Sequence, residues 1–319
     1  MTSDSGTVRD IGEFGLIDKI TLGALRGDEP GVLVGPGDDT AVVAAPDGRV
    51  AVTCDMLVEG RHFRRDWSTP VDVGRRAAAA SLADIAAMGG VATSLVVGFG
   101  APGDLPSAWA VSCTAGLREE AALVGALLVG GDVVEAPQVI ISVTALGDLQ
   151  GRSPVLRSGA RPGDVVAVAG RFGWAAAGLA LLSRGFRSPK VLVDAHRYPL
   201  PDYAAGPRAA EAGATAMIDV SDGMVADAGH IARASGVTIE IDTSGWEIPE
   251  PMQAAASAYN TDPREWMLTG GDDHALLATF PSVTALPDGF RAIGQVTAGD
   301  AAVMVDGALR EDGGHRHFA

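Results

Sequence analysis

Apolar, β-rich runs that end in aspartate recur along this chain, and this pattern constrains its fold more than any other feature. The acidic segments are Gly-Asp-Asp at 37–39, Asp55, Gly-Gly-Asp at 130–132, Asp219 with Asp222, and Gly-Gly-Asp-Asp at 270–273. A fold that gathers several of these carboxylates must relieve their repulsion by protonation or by bound cations. Hard oxygen ligands of this kind select magnesium-like ions. The pattern therefore predicts metal-dependent phosphate chemistry.

Predicted strands and helices alternate through both halves of the chain, which indicates a strand-rich α/β domain at 1–150 and a second domain at 151–319. Strands are expected at 40–45, 49–53, 94–99, 127–129, 139–145, 165–169 and 216–220, and helices at 11–25, 72–88, 106–126, 172–182 and 221–235. Asp72 is the expected cap of the second helix, and Ser221-Asp222 is the expected cap of the last. A connector rich in Gly, Pro and Arg at 151–163 separates the two domains.

The first two predicted strands are joined by Asp47-Gly48, a strong two-residue hairpin signal. Such a hairpin brings the Asp38-Asp39 end of one strand beside Asp55 on the other. In the simplest register Asp38 shares the face of Asp55, and a looser loop around Pro46 places Asp39 there instead. The spacing leaves both registers open.

The charge of the chain argues against nucleic acid or anionic lipid as its main partner. Lys and Arg total 24 against 40 Asp and Glu, for a net charge of −16. The longest apolar run, 121–131, is far shorter than the roughly 20 residues of a membrane helix, and the polar start at 2–5 is not a signal peptide. Cys54 and Cys113 show neither a metal-ligand spacing nor a disulfide framework. We therefore expect a cytoplasmic protein that binds neither nucleic acid nor membranes.

Phosphate binding would have to proceed without a P-loop lysine. Lys19 and Lys190 are the only lysines, and neither follows the required glycine pattern. Backbone N–H groups at Gly130-Gly131 and at the helix starting near Ser221 are candidates for holding phosphate oxygens. Arg157 offers a planar fork of donors, and a solvated loop arginine is an equally good interpretation.

Each acidic motif on its own is typical of an ordinary turn. Asp84 lies inside a predicted helix among small neighbours, and standing alone it would be interpreted as an exposed carboxylate. His62 follows a strand end and is a candidate substrate contact, although a lone histidine is more often structural. The number of acidic strand ends in a chain without a P-loop favours one shared metal and phosphate site.

Taken in order, these motifs resemble the thiamine-monophosphate kinase family over nearly the whole chain. Each motif is weak, and the ordered set is highly specific. The matching segments are Gly-Glu-Phe at 12–14 with Leu16-Ile17, 37–39, 54–60 with His62-Phe63, 81–89, 130–132, 157–160, 219–223 and 270–273.

The resemblance implies a two-domain fold of the aminoimidazole ribonucleotide synthetase superfamily. Its N-terminal α/β domain binds metal and ATP and pairs its sheet with that of a second subunit, and its C-terminal domain is α+β. The implied enzyme is a magnesium-dependent homodimer that transfers the γ-phosphoryl group of ATP, its co-substrate, to thiamine monophosphate. The products are thiamine diphosphate and ADP.

The resemblance also assigns roles to residues, none of them as a general acid or base. Several magnesium ions would be held by Asp39, Thr53, Cys54, Asp55, Asp84, Asp132, Asp219 and Asp222. ATP would be contacted by Gly131, Asp132, Arg157 and Ser221, and thiamine monophosphate by His62 and Asp272.

The chain departs from the family pattern at four of its positions. Cys54 stands where threonine is common, and a neutral thiol is a poor magnesium ligand, so contact there would come from the backbone carbonyl. Asp272 replaces a glutamate and has a shorter reach, and His274 follows where tyrosine is usual. Asp312 stands where a relative has a substrate-contacting tryptophan.

Two other functions are compatible with the same residues. One is a superfamily synthase that activates a different acceptor by phosphorylation, which the Glu59-Gly60 to His62-Phe63 segment disfavours. The other is a nucleotide- and metal-binding regulatory protein without turnover. A panel of acceptors distinguishes the first from a kinase, and ATP binding without transfer identifies the second.

Overall fold

The computed structural model describes residues 6–21, 31–34, 42–310 and 313–315. The chain folds as two compact units. The first contains the described residues up to Ile85 together with Val91–Gly151, and the second contains Ala86–Gly90 and the described residues from Arg152 onward. The predicted boundary at 150 lies beside the division at Gly151. In the described part of the chain, no helix is both long and apolar enough to span a bilayer.

The first unit is built around a four-stranded sheet. Its elements, in chain order, are α1 (Val8–Thr21), β1 (Val32–Val34), β2 (Val42–Val43), β3 (Ala51–Val58), α2 (Pro70–Ala87), β4 (Val91–Ala101), α3 (Ser107–Ala122), β5 (Leu127–Glu135) and β6 (Ile140–Asp148). The strand order is β3-β6-β4-β5, with β4 and β5 parallel, and β1 and β2 form a separate pair.

The two faces of this sheet have different surroundings. On the inner face, Val143 and Ala145 of β6 are buried. Helix α2 packs over this face, where the Ser81 Oγ lies 3.0 Å from the Val143 carbonyl oxygen. On the outer face, Val52 and Met56 of β3 are 65% and 55% exposed, and Val134 of β5 is 55% exposed. The sheet therefore has one helix-covered face and one exposed face that carries apolar side chains.

The predicted hairpin is wrong within the described residues. A turn does form, because the Gly48 N–H donates to the Ala45 carbonyl and Asp47 accepts from the Arg49 N–H. However, β2 pairs with β1, and β3 pairs with β6 over its whole length. The long buried strand β6 offers eight partners, whereas β2 has two residues, so β3 gains more hydrogen bonds from β6. Asp38 and Asp39, and with them the register question, lie outside the described residues.

Gly130-Gly131-Asp132 forms part of a strand, although the sequence predicts a turn. β5 continues through the motif to Glu135, and Gly131 is aligned with Val97 of β4 after a register shift. A Cβ at Gly131 would lie 2.3 Å from the Val97 carbonyl oxygen. The second glycine is therefore required by close backbone approach within the sheet.

Helix α2 is capped differently from the prediction. The Thr69 hydroxyl accepts from the Asp72 N–H, and the Asp72 carboxylate accepts from the Thr69 N–H. This reciprocal pair is a capping box, so Asp72 is its third helical position and Thr69 is the cap. Gly89, at φ 77°, follows the end of the helix, as predicted.

The second unit is built around a seven-stranded mixed sheet. Its elements are β7 (Val165–Ala169), α4 (Trp174–Ser183), α5 (Lys190–Arg197), α6 (Ala205–Glu211), β8 (Ala216–Val220), α7 (Met224–Ser235), β9 (Thr238–Ile241), α8 (Glu250–Tyr259), α9 (Pro263–Thr269), β10 (Ala275–Phe280), a 3₁₀ turn (Val283–Ala285), β11 (Phe290–Thr297), β12 (Ala302–Val305) and β13 (Ala308–Leu309). The strand order is β13-β12-β9-β11-β7-β10-β8.

Antiparallel pairing brings three loops together at one end of neighbouring strands in this sheet. β10 pairs antiparallel with both β7 and β8, aligning Leu276 with Ala169 and with Asp219. The start of β10 therefore lies beside the ends of β7 and β8. The predicted strands 165–169 and 216–220 are confirmed with these bounds.

Candidate functional site

Three predicted metal ligands of the first unit meet on the inner face of its sheet. Thr53 and Asp55 are two positions apart on β3 and therefore share one face of the strand. Asp84 lies on the side of α2 that faces them. The Thr53 hydroxyl donates to Asp84 Oδ2 at 2.5 Å, and the Ser81 hydroxyl donates to Asp55 Oδ2 at 2.8 Å. Residues 81 and 84 share a helix face because they are three positions apart. All of these contacts are through oxygen, the ligand atom that magnesium prefers.

Two other predicted ligands lie on the outer face. Cys54 is exposed, and its Sγ is 3.3 Å from the Ser142 hydroxyl. The register aligns Ser142 with Gly98, and Gly98 with Asp132, which places Asp132 on this same side. The structure thus divides the predicted metal ligands of this unit between two faces of one sheet. Asp39 lies outside the described residues.

His62 is held by the turn that follows β3. The ring Nδ1 of His62 accepts from the Val58 N–H at 2.9 Å, and the backbone N–H of His62 donates to the Val58 carbonyl. In a neutral ring the proton is then on Nε2. The turn fixes both the tautomer and the direction of this side chain.

In the second unit, the loop after β8 contacts the loop before β10. The Asp272 N–H donates to the Ser221 carbonyl at 2.9 Å, and the His274 N–H donates to the Val220 carbonyl at 3.2 Å. A Cβ at Gly271 would lie 1.9 Å from the Ser221 carbonyl oxygen, so glycine is needed there. Asp272 and His274 have φ values of 67° and 53°, which are uncommon for residues other than glycine. Backbone strain of this kind clusters at functional sites.

Asp219 is buried, and it contacts a residue with no role in the sequence prediction. His274 Nδ1 lies 3.0 Å from Asp219 Oδ2, with both side chains almost fully buried. The pair follows from the strand register, because Asp219 is near the end of β8 and His274 immediately precedes β10.

Asp227 holds the loop at the start of α7, and the sequence analysis missed it. Its Oδ2 accepts from the N–H groups of Asp222 and Gly223, both at 3.0 Å. The predicted cap at Ser221-Asp222 is therefore wrong, since Gly223 is the N-cap and Asp227 reaches back from the first turn. An acidic residue in the first helical turn was the available signal. Burial, with the nearby Asp219 charge, raises the pKa of Asp227 to about 7.

Asp222 also lies near a histidine on α7. One potential ligand atom from each of Asp222, Asp227 and His230 lies within 4.8 Å of the others, a spacing that suits a cation. Burial, with the charges of Arg233 and Arg157, lowers the pKa of His230. The exposed Arg157 thus acts electrostatically on α7, and its carbonyl accepts from the Ser235 hydroxyl.

Asp273 caps helix α4 from the loop before β10. Both of its carboxylate oxygens accept from the Ala175 N–H, at 3.1 and 3.2 Å. Burial raises the pKa of Asp273 to about 7. Adjacent residues of Gly-Gly-Asp-Asp therefore differ in their surroundings, because Asp272 is partly exposed and Asp273 is buried. Asp312 lies outside the described residues.

Comparison with known proteins identifies relatives over most of the chain. Residues 37–149 match the family model for the N-terminal domain of AIR synthase related proteins. A thiamine-monophosphate kinase from Mycobacterium tuberculosis is 51% identical over 308 residues, covering 96% of this chain and 91% of the relative.

Solved structures agree with the fold described above. The crystal structure of thiamine monophosphate kinase from Aquifex aeolicus has a TM-score of 0.78 at 30% identity, covering 96% of this chain and 100% of that one. The structure of AaThiL complexed with AMPPCP and TMP has a TM-score of 0.79 at 33% identity, covering 98% and 99%. The predicted aminoimidazole ribonucleotide synthetase-like fold is confirmed. The chain belongs to the thiamine-monophosphate kinase family.

Proposed function

We propose that this chain transfers the γ-phosphoryl group of ATP to thiamine monophosphate, giving thiamine diphosphate and ADP. The observation that carries the proposal is 51% identity to a thiamine-monophosphate kinase over 96% of the chain. The complex of AaThiL with AMPPCP, an ATP analogue, and TMP supports the same pair of substrates. An acidic chain without a P-loop lysine needs another source of positive charge for such substrates.

We propose magnesium as that source. Two groups of hard oxygen donors fit it: Thr53, Asp55 and Asp84 in the first unit, and Asp219 with Asp222 in the second. Asp39, Cys54 and Asp132 complete the proposed set, with Cys54 contributing its carbonyl because its thiol contacts Ser142. Bound magnesium would neutralise negative charge on the phosphates during transfer.

The residues of the chain then have binding and orienting roles. Gly131 and Ser221 are proposed to contact ATP, and Arg157 to place its fork of donors on a phosphate. His62, whose Nε2 has the proton in the neutral ring, is proposed to donate to thiamine monophosphate, and Asp272 to accept from it. The acceptor is already an ionised phosphate, so transfer needs no strong general base. Positioning and electrostatics would supply the rate.

The outer face of the four-stranded sheet supports a homodimer. Val52, Met56 and Val134 expose apolar side chains there. Large apolar side chains exposed on one face of a sheet often mark a protein interface, and a second copy would cover them symmetrically. Because ATP is the proposed donor, we also propose that the protein acts in the cytoplasm.

The proposal is tested by incubating the purified protein with magnesium, ATP and thiamine monophosphate and separating the thiamine species by chromatography. Thiamine diphosphate should form, and a chelator should prevent its formation. A parallel reaction with unphosphorylated thiamine tests whether the acceptor must already have a phosphate. If folded, ATP-binding protein forms no thiamine diphosphate, the proposed acceptor is wrong.

A further inference from the structure

The contact between His274 and Asp219 is a buried polar pair within the second unit. His274 Nδ1 lies 3.0 Å from Asp219 Oδ2, and the two side chains are 8% and 5% exposed. A buried carboxylate is costly unless a donor satisfies it. Among the described residues, His274 is the one side chain that hydrogen-bonds this carboxylate.

Backbone interactions on both sides fix the position of this pair. Asp219 lies within β8, aligned with Leu276 of β10. The His274 N–H donates to the Val220 carbonyl, and its φ of 53° turns the chain into β10. Because these bonds fix the backbone beneath the ring, the imidazole has little freedom to leave Asp219.

The chemistry of the two groups gives the direction of the hydrogen bond. A metal-binding carboxylate is ionised and can only accept, so Nδ1 must have a proton and donate it. The bond engages Oδ2 and limits rotation of the carboxylate about its terminal torsion. Removal of a neighbour that orients a metal ligand in this way commonly weakens metal binding by about 10- to 100-fold.

We propose that His274 is a positioning residue for the metal site, holding Asp219 Oδ2 so that the Asp219 carboxylate is oriented toward the cation. The inference rests on the proposed metal-binding role of Asp219. It assigns a function to a residue for which the sequence analysis gave only a departure from the family pattern.

Two substitutions separate the hydrogen bond from the backbone conformation. His274→Asn places an amide N–H close to the position of Nδ1, whereas His274→Gly removes the donor. Both Asn and Gly tolerate a positive φ, so backbone strain is matched. Asp219→Asn serves as the reference for loss of the ligand itself. Binding of Mn²⁺ is measured by electron paramagnetic resonance in the presence of AMPPCP, and the melting temperature is measured without metal.

We expect His274→Gly to weaken Mn²⁺ binding by about 10-fold or more, and His274→Asn to stay within about threefold of the wild type. In the Asp219→Asn background, His274→Gly should have little further effect, because the two residues act as one unit. In turnover, the Mg²⁺ concentration for half-maximal rate should rise while the rate at saturating Mg²⁺ changes less.

Unchanged Mn²⁺ binding in His274→Gly would overturn the inference. So would equal weakening in both variants with native melting temperatures, since the lost ring would then matter more than the N–H group. If His274→Gly does not fold, His274→Ala replaces it, because alanine also removes the donor, and the melting temperature without metal then reports the strain of the positive φ. These binding measurements need no turnover, so they remain decisive even if thiamine monophosphate is not the acceptor.

Discussion

Asp273 is a buried carboxylate whose proton affinity is coupled to folding. Burial raises its pKa to about 7, above the 3.8 of an unperturbed aspartate. A group with a raised folded-state pKa stabilises the fold most at low pH, and this contribution is lost as the pH rises through the folded value. The stabilising contribution of Asp273 is therefore lost as the pH rises from about 4 to about 7.

Asp273→Asn should remove this pH dependence while keeping an oxygen that accepts from the Ala175 N–H. We expect the melting temperature of the variant, relative to the wild type, to increase between pH 5 and pH 8. Asp242→Asn is the matched control, because hydrogen bonds from Ser244 lower the pKa of Asp242 and its titration lies below this range. A temperature difference for Asp273→Asn that stays constant with pH would contradict the assignment.

Individual residues were predictable where local sequence decides their surroundings. Asp219 follows an apolar run, which predicts a strand end, and the strand is observed. Asp227 accepts from N–H groups only four and five residues away, so its acidic character in the first helical turn was a local signal that could have found it. The contact of His274 with Asp219 instead depends on which loops meet across the sheet, and local spacing contains no information on that pairing.

At the level of elements, the two adjacent glycines of β5 have different structural requirements. A Cβ at Gly131 would lie 2.3 Å from the Val97 carbonyl oxygen, whereas a Cβ at Gly130 meets nothing within 4 Å. Gly131→Ala should therefore lower stability by roughly 1–3 kcal/mol through strain in the β4–β5 pair, and Gly130→Ala should cost less than about 1 kcal/mol. Chemical denaturation of both variants measures the difference. Equal stabilities would show that the sheet adapts at this point.

The predicted elements failed where a strong local signal competes with a longer-range partner. Asp47-Gly48 does form a turn, yet β3 pairs with β6 because that ladder is longer. Two glycines at 130–131 indicate a turn by composition, although here both lie within β5 and Gly131 allows close approach to β4. By contrast, the apolar run 165–169 and the run 216–220, which is apolar apart from Asp219, had no competing interpretation, and both were predicted to the residue.

At the level of the whole molecule, the exposed face of the first unit predicts self-association. Val52 is 65% exposed on this face. Val52→Asp should convert a dimer to monomers, because the interface would bury an unpaired charge. Val283→Asp is the control, since Val283 is 59% exposed in the other unit. Sedimentation velocity over a range of concentrations measures the outcome, and a wild-type protein that is monomeric throughout would contradict the proposed dimer.

The prediction of two domains rests on the polar connector at 151–163, which separates two apolar regions. The segment Ala86–Gly90 lies in the second unit, although it is part of the chain before that connector. A Cβ at Gly89 would lie 2.7 Å from the Ala210 Cβ, and the Val155 N–H donates to the Met88 carbonyl. Contacts between residues so distant in sequence could not be inferred from local patterns.

Strand β3 presents candidate metal ligands on one face and exposed side chains on the other. Thr53 and Asp55 face the helix-covered side, while Cys54 and Met56 face outward, and this alternation depends on the pairing of β3 with β6. Deletion of one residue between Gly48 and Thr53 leaves the composition almost intact. If the ladder then shifted by one position, carboxylate and thiol would exchange sides. We expect evolution to tolerate substitutions in this strand more readily than changes in its length.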